Sequence, residues 1–259
     1  MNRIEGKQVL ITGASAGIGQ ACARAFASHG ANLILCARRV DRLDTLAGEL
    51  ETQHGVTVRT GALDVRDGEA VMAFVDGVVS DGVVPDILVN NAGLARDLTK
   101  TQDGRFASWD QMIDTNVKGL LYMSRAVLPH MIERDSGHVV NIGSIAGREV
   151  YPGGNVYNAT KFAVNALNKA MSVDLVGTNV RVSSVDPGAV ETEFSEVRFH
   201  GDTERAEKVY QGYRPLQPAD VADAVCYVVN APEHVNVLEM LIMPTDQRNT
   251  YVWHKAPTA

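Results

Sequence analysis

The chain is 259 residues long, 45% hydrophobic and 21% charged, with a formal charge of -7. This fits one large α/β domain with an ample core; the negative balance argues against nucleic-acid binding, and no apolar run approaches the roughly 20 residues that span a bilayer. The three cysteines, Cys22, Cys36 and Cys226, are too few for a disulfide framework and read as buried thiols of a cytoplasmic protein.

Along the chain, short apolar runs alternate with longer amphipathic ones. Val9-Leu10-Ile11 reads as the first strand, followed by Thr12-Gly13-Ala14-Ser15-Ala16-Gly17-Ile18-Gly19 and a helix running to about Gly30. Glycines there let the backbone turn sharply and approach a pyrophosphate, while the helix start offers free N–H groups and a positive dipole end. A tight strand-to-helix turn would use the same glycines, but the position directly after strand one favours a dinucleotide loop. Leu33-Ile34-Leu35 is the second strand, and it ends in Cys36-Ala37-Arg38-Arg39 with no acid before Asp41. A carboxylate at this point would bond the adenosine ribose 2′-OH. Arg38 and Arg39 instead suit a 2′-phosphate, with Ser15 as an added hydroxyl donor, so the expected cofactor is NADP(H). The competing reading makes both arginines solvated residues that open the next helix. That helix carries the stripe Val40, Leu43, Leu46, Ala47 and Leu50, and Gly55 stops it.

Val56-Thr57-Val58, Ile87-Leu88-Val89, Val139 to Ile142, Val180-Arg181-Val182 and Val237 to Ile242 complete the set of strands. Strands that are continuously apolar rather than alternating are covered on both faces. The expected fold is therefore a single-domain doubly wound parallel sheet over residues 1–259, with helices on both faces and right-handed crossovers. Residues 188–216 are polar, follow the sixth strand and read as a lid over a ligand crevice. The tail, about 244–259, carries Tyr251, Trp253 and His254; such a tail either frays or docks on a neighbouring subunit, and docking is the expectation.

Tyr157 and Lys161 are four apart at the start of a helical segment over 155–176 and so share a face. Ser144 precedes them at the end of the fifth strand, and Asn116 lies in an earlier helical run. Singly, each has a structural explanation. Together they suit proton transfer to or from an oxygen. Tyrosine titrates near ~10, so it is a poor base at neutral pH unless its phenolate is stabilised. A lysine charge at ~4 Å with an effective dielectric near 20 interacts by about 4 kcal/mol and could bring that pKa down by roughly three.

In these motifs the chain resembles the short-chain dehydrogenases/reductases: TGASAGIG, Asp64 in Leu-Asp-Val, Asn90-Asn91-Ala92-Gly93 after strand four, Asn116, Ser144, Tyr157-x-x-x-Lys161, and Pro187-Gly188 leading to Thr192. The match runs from about residue 4 to 245. The resemblance implies the doubly wound Rossmann fold, a nicotinamide cofactor and a catalytic tetrad of Asn116, Ser144, Tyr157 and Lys161. It implies that Lys161 also holds the nicotinamide ribose and that Asn116 positions a relay water. It further implies that Gly13, Ser15, Gly17, Ile18 and Gly19 line the phosphate and nicotinamide region and that Asp64 and Val65 meet the adenine. Asn91, Ala92 and Gly93 would flank the adenosine ribose, and Pro187, Gly188, Val190 and Thr192 the carboxamide. A homotetramer is implied too, through helices around 107–133 and 155–176.

Within that family, Met112 to Asn116, Tyr122 to Pro129, Gly153 to Tyr157 and Phe194-Ser195-x-Val197-Arg198-Phe199-x-Gly201-Asp202 are similar to the bacterial NADP-dependent 3-hydroxy acid dehydrogenases. The sulfoacetaldehyde reductases of the same subgroup are similar as well. The implied substrate is a small anionic aldehyde or hydroxy acid, carboxylate or sulfonate, held by a cation near Ser144. Arg148, four residues after Ser144, is the leading candidate; pairing with Glu149 or Asp186 is the alternative. Arg198 in the lid and Arg248 in the tail are further candidates. Gly147 to Tyr151 and Asp246 to Tyr251 depart from the subgroup's pattern, and both border the expected pocket. The seven histidines form no spaced metal-ligand set with the cysteines, so no metal is expected. A non-catalytic NADP(H)-binding sensor is the alternative from another class; its relatives carry a damaged tetrad, whereas this one is whole. A reductase of acidic carrier-borne substrates is disfavoured by a lid with Glu191, Glu193, Glu196, Asp202, Glu204 and Glu207 against Arg198, Arg205 and Lys208.

Overall fold

The computed structural model describes residues 2–256, so the last three residues of the expected tail lie outside the described residues. Its elements in chain order are β1 Gln8–Thr12, α1 Gly17–Ser28, β2 Asn32–Ala37, α2 Val40–His54, β3 Val58–Ala62, α3 Gly68–Ser80 and β4 Ile87–Asn90. Then come α4 Phe106–Ile113, a π-helical turn at Asp114–Gly119, α5 Leu120–Glu133, β5 Gly137–Ile142, α6 Asn155–Asp174 and β6 Val180–Pro187. The chain closes with α7 Phe194–Arg198, α8 Thr203–Lys208, α9 Pro218–Val229 and β7 Glu239–Ile242.

All strand pairs are parallel, in the order β3-β2-β1-β4-β5-β6-β7. This is the doubly wound Rossmann architecture. Side-chain alternation in β1 sends Val9 and Ile11 to one face and Leu10 to the other. The first face packs on Phe26 of α1, Leu43 and Leu46 of α2 and Val225 of α9. The second packs on Val75 of α3, Met123 and Val127 of α5 and Val164 of α6. Each fully buried aliphatic side chain of this kind contributes about 1.5–3 kcal/mol.

Local signals end the helices as expected at several points. Gly55 adopts φ 68° after α2 and its N–H bonds the Glu51 carbonyl, while Asp67 caps α3 by accepting from the N–H groups of Glu69 and Ala70. One strand is displaced: β3 begins at Val58, where the apolar run Val56 to Val58 was expected to end. It is the sheet's edge strand, only half-buried, so its residues need not form an apolar run.

Because strand order reverses between β1's neighbours β2 and β4, the loops after β1 and β4 diverge and leave a crevice at the carboxyl ends of the strands. Over it lies the segment 188–216, which contains no named strand and holds α7 and α8. The tail folds over its own lid: Trp253 stacks edge-on to Tyr213 at 4.8 Å, and the Ala256 N–H bonds the Gly212 carbonyl at 2.7 Å. Tyr251 and Val252 of the tail stay exposed. Among the described residues no helix is long and apolar enough to cross a membrane.

Candidate active site

The crevice is a cleft of about 660 Å³ that runs from the glycine loop to the lid and tail. At its base, Thr12 ties β1 to β4. Its hydroxyl accepts from the N–H groups of Asn91 (3.0 Å) and Ala92 (2.9 Å), and the Asn91 amide donates to the Thr12 carbonyl at 2.8 Å. Gly13 turns with φ +65°, and a Cβ there would meet Ala92 Cα at 3.0 Å. At Gly19 a Cβ would come within 2.4 Å of Asn91 Nδ2 and 2.6 Å of the Gly13 carbonyl oxygen, so only glycine lets α1 start this close to β4. No side chain caps the first turn of α1 and no acid lies in it. That leaves its N–H groups and dipole to an anion.

Most expected cofactor residues line this cleft: Gly13, Ser15, Gly17, Ile18, Arg38, Arg39, Asp64, Val65, Asn91, Ala92, Gly93, Pro187, Gly188, Val190 and Thr192. Gly19 is not on its wall; it is the contact that seats the helix. Arg39 reaches Ser15 Oγ from both Nε (3.4 Å) and Nη2 (3.3 Å), with Arg38 beside it in the wall. The shape and chemistry of this wall fit a dinucleotide with a 2′-phosphate. Asp64 is held by Arg66 and lies below the usual carboxylate range because of that hydrogen bond.

Further along, Ser144, Tyr157 and Lys161 converge on the same wall. Ser144 ends the chain segment leaving β5 and caps a short 3-10 turn, Ile145–Gly147, by accepting from the Ala146 N–H at 3.1 Å. Tyr157 and Lys161 sit one turn apart on α6, with Lys161 Nζ 6.0 Å from the Tyr157 ring centre and donating to the Ile142 carbonyl at 2.8 Å. Asn116 stands one layer behind the cleft, inside the π-helical turn that breaks the α4–α5 run. Its side chain accepts from the Leu94 N–H (2.8 Å) and donates to the Leu94 carbonyl (2.8 Å) and the Thr160 hydroxyl (3.0 Å). Such single π turns mark functional positions.

The electrostatics correct one expectation. The Tyr157 phenol was expected to be acidified by Lys161. Instead burial pushes it up, Tyr151 adds to the rise, and Arg198 and the Ser144 hydroxyl pull only partly against it. Lys161 is itself brought down to about 8 by burial, with Asp186 opposing that shift. In this state the phenol holds its proton at neutral pH, and the opposing pull of Arg198 and Ser144 is what favours its release.

The cation assignments also change. Arg148 does not line the cleft. After the Ile145–Gly147 turn it points back under the sheet edge, with Nε and Nη2 on Asp186 Oδ2 at 2.9 and 2.6 Å and Nη2 on Glu239 at 3.1 Å. Asp186 is fully buried and needs a counter-charge, so the structural alternative prevails for Arg148. Arg248 is exposed and away from the cleft, its N–H bonded to the Val252 carbonyl.

Arg198, another of the expected cations, does line the cleft. Its guanidinium lies over three rings, those of Tyr157 (5.1 Å), Phe194 (5.2 Å) and Tyr151 (5.7 Å), and Nη2 donates to the Tyr151 hydroxyl at 2.7 Å. Its Nε is buried and has no hydrogen-bond partner. The lid that carries it is anchored by the Asp97 N–H on the Arg198 carbonyl (3.0 Å) and Arg96 Nη1 on the Val197 carbonyl (2.7 Å). Sequence reasoning did not name Tyr151, Gln247, Trp253 or Lys255 as site residues, yet all four line the cleft. The signal was present for Tyr151 and Gln247, which lie in the two stretches that depart from the subgroup's pattern.

Comparison with known proteins agrees with this geometry. A family model described as short chain dehydrogenase matches residues 7–202. The NADP-dependent 3-hydroxy acid dehydrogenase YdfG of Salmonella typhi is 46% identical over 240 residues, 92% of this chain and 95% of that protein. Sulfoacetaldehyde reductase 2 of Chromohalobacter salexigens is 47% identical over 240 residues, 92% of this chain and 94% of that protein. Among solved structures, the closed form of a serine dehydrogenase complexed with NADP+ superposes with a TM-score of 0.89 at 45% identity, covering 94% of this chain and 97% of its own.

Proposed function

This chain belongs to the short-chain dehydrogenase family and is an NADP-dependent oxidoreductase acting on hydroxyl groups; on that premise we propose that it interconverts a short acidic aldehyde or ketone and its hydroxy acid. The observation that carries this reading is Arg198: a half-buried guanidinium on the cleft wall, stacked on the Tyr157 ring, whose Nε is buried without a partner. A buried charged donor without a partner is costly unless a ligand anion completes it.

When bound, NADPH supplies the hydride. The chain's own residues do the rest. Ser144 hydrogen-bonds the substrate oxygen, and Tyr157 delivers the proton, Arg198 and Ser144 favouring its release against burial. Lys161 steadies that position through its charge, and Asn116 fixes the Leu94 and Thr160 groups behind it. Arg198 and Tyr151 hold the anionic end of the substrate. Ser15, Arg38 and Arg39 hold the cofactor's 2′-phosphate.

A second reading is favoured by the planar fork of Arg198 combined with the Tyr151 hydroxyl, since three-fold acceptors such as sulfonate use both. It makes the substrate sulfoacetaldehyde and the product isethionate. A side-by-side assay of NADPH oxidation with malonic semialdehyde, sulfoacetaldehyde and acetoacetyl thioester separates these. The proposal expects turnover of one of the two small acids and little of the thioester. A non-catalytic sensor would oxidise NADPH with none.

The same reading makes the protein a cytoplasmic homotetramer. It is supported by buried free thiols and by apolar side chains left exposed on the helices expected to pair: Phe106, Ile113 and Leu121 on the α4–α5 run and Phe162 and Val173 on α6. Light scattering on the purified chain tests the assembly.

A further inference from the structure

One of the cations assigned to the 2′-phosphate, Arg39, is engaged by the lid, together with its neighbour Arg42. Arg39 Nη1 donates to Glu193 Oε2 at 3.0 Å, and Arg42 Nη1 to Glu193 Oε1 at 2.7 Å. One carboxylate thus bridges two guanidiniums that flank the end of β2. Glu193 and Arg39 both line the cleft, next to Ser15, which Arg39 also contacts. All three partners of this bridge are partly exposed, so the contact can be exchanged for another anion without stranding a buried charge. Glu193 also has a mechanical position. It immediately precedes α7, and its carbonyl accepts from the Val197 N–H at 3.0 Å. That short helix carries Phe194, edge-on to the Tyr157 ring at 5.5 Å, and Arg198.

We propose that Glu193 is a built-in competitor for the cofactor's 2′-phosphate, a lid carboxylate seated on Arg39, which the phosphate must take over. The proposal rests on the reading that Arg39, with Arg38 and Ser15, holds that phosphate. The argument is electrostatic. A phosphate monoester carries nearly two negative charges at neutral pH, and its oxygens need the same N–H groups that Glu193 occupies. A carboxylate on those groups lowers the positive potential of the site and repels the incoming dianion at short range. Cofactor loading therefore detaches Glu193 from the adenosine end of the cleft, which links recognition of the phosphate to the segment that carries Arg198. Glu193 also narrows the preference for a phosphorylated over an unphosphorylated dinucleotide, because it penalises only the former.

The test is calorimetric titration of the full chain with 2′,5′-ADP and with 5′-AMP, for the natural sequence, Glu193→Gln and Glu193→Gln combined with Arg39→Ala. The expected result is that Glu193→Gln binds 2′,5′-ADP about fivefold more tightly while 5′-AMP stays within about twofold. Adding Arg39→Ala should abolish that gain. If the natural chain prefers 2′,5′-ADP but Glu193→Gln leaves its affinity unchanged or weakens it, the carboxylate is a bystander or a clamp and the proposal is overturned. If the natural chain shows no preference for 2′,5′-ADP, the assignment of the phosphate to these arginines falls first, and the competition with it. Unaltered 5′-AMP binding in the variants reports that the site is still folded.

Discussion

The Arg198 guanidinium lies over the Tyr157 ring, 5.1 Å from its centre, so the lid's cation and the phenol on α6 are in contact and line the same pocket. This relationship joins specificity to chemistry. The positive charge lowers the phenol's pKa against the stronger effect of burial, and the same group lines the cleft where a substrate anion would sit.

Arg198→Ala should therefore act on acidic substrates selectively. Losing a charge-assisted contact costs about 1.5–3 kcal/mol, which corresponds to roughly a 10- to 100-fold rise in KM. Arg198→Lys should recover part of this, because a point charge lacks the fork. Steady-state kinetics with an acidic aldehyde and a neutral aldehyde of similar length provide the check. An equal loss for both would mean that the arginine only supports the lid.

Arg148→Ala should behave differently. It strips the counter-charge from Asp186, which is fully buried, while Arg148 itself is less than a third exposed. The expected cost is about 2–3 kcal/mol of stability, read as a lower urea midpoint, with KM for acidic substrates little changed. A large KM increase at full stability would return this arginine to the substrate site.

Lys161 predicts a pH signature. Its ammonium is disfavoured by burial, so its pKa falls from 10.5 to about 8 on folding. Between those values the unfolded chain binds a proton that the folded chain does not, and stability rises with pH across that window. Below pH 8 both states are protonated and the charged lysine is a constant cost. Relative to Lys161→Met, the natural chain should gain about 2–3 kcal/mol between pH 8 and 10. Parallel urea-midpoint curves for the two proteins would show that the ammonium is not penalised by burial.

The sequence revealed the sheet wherever strands are buried on both faces, because Leu10, Leu88 and Val139 leave no polar alternation to read. It misplaced β3, an edge strand whose half-exposed residues carry no such constraint. The phosphate loop and Tyr157-x-x-x-Lys161 were legible because spacing along a turn or a helix fixes their geometry locally. Arg148 was misread because proximity to Ser144 says nothing about direction. What turns it is Asp186, which becomes a neighbour only through the pairing of Ile142 with Val185 in adjacent strands. Arg198 could be listed from its motif but not ranked, since its aim depends on how α7 lies across Tyr151 and Phe194. The phenol's pKa was misjudged for a similar reason: burial is a property of the packed fold, and the lysine charge was visible without it.

The central claim is that the buried Tyr157 hydroxyl delivers the proton, and the most direct measurement pairs turnover with cofactor binding in Tyr157→Phe. The account predicts that NADPH oxidation with the best acidic aldehyde falls by about 10²–10⁴ while NADPH affinity stays within about twofold. A variant that binds NADPH normally and keeps a large share of its turnover would contradict it.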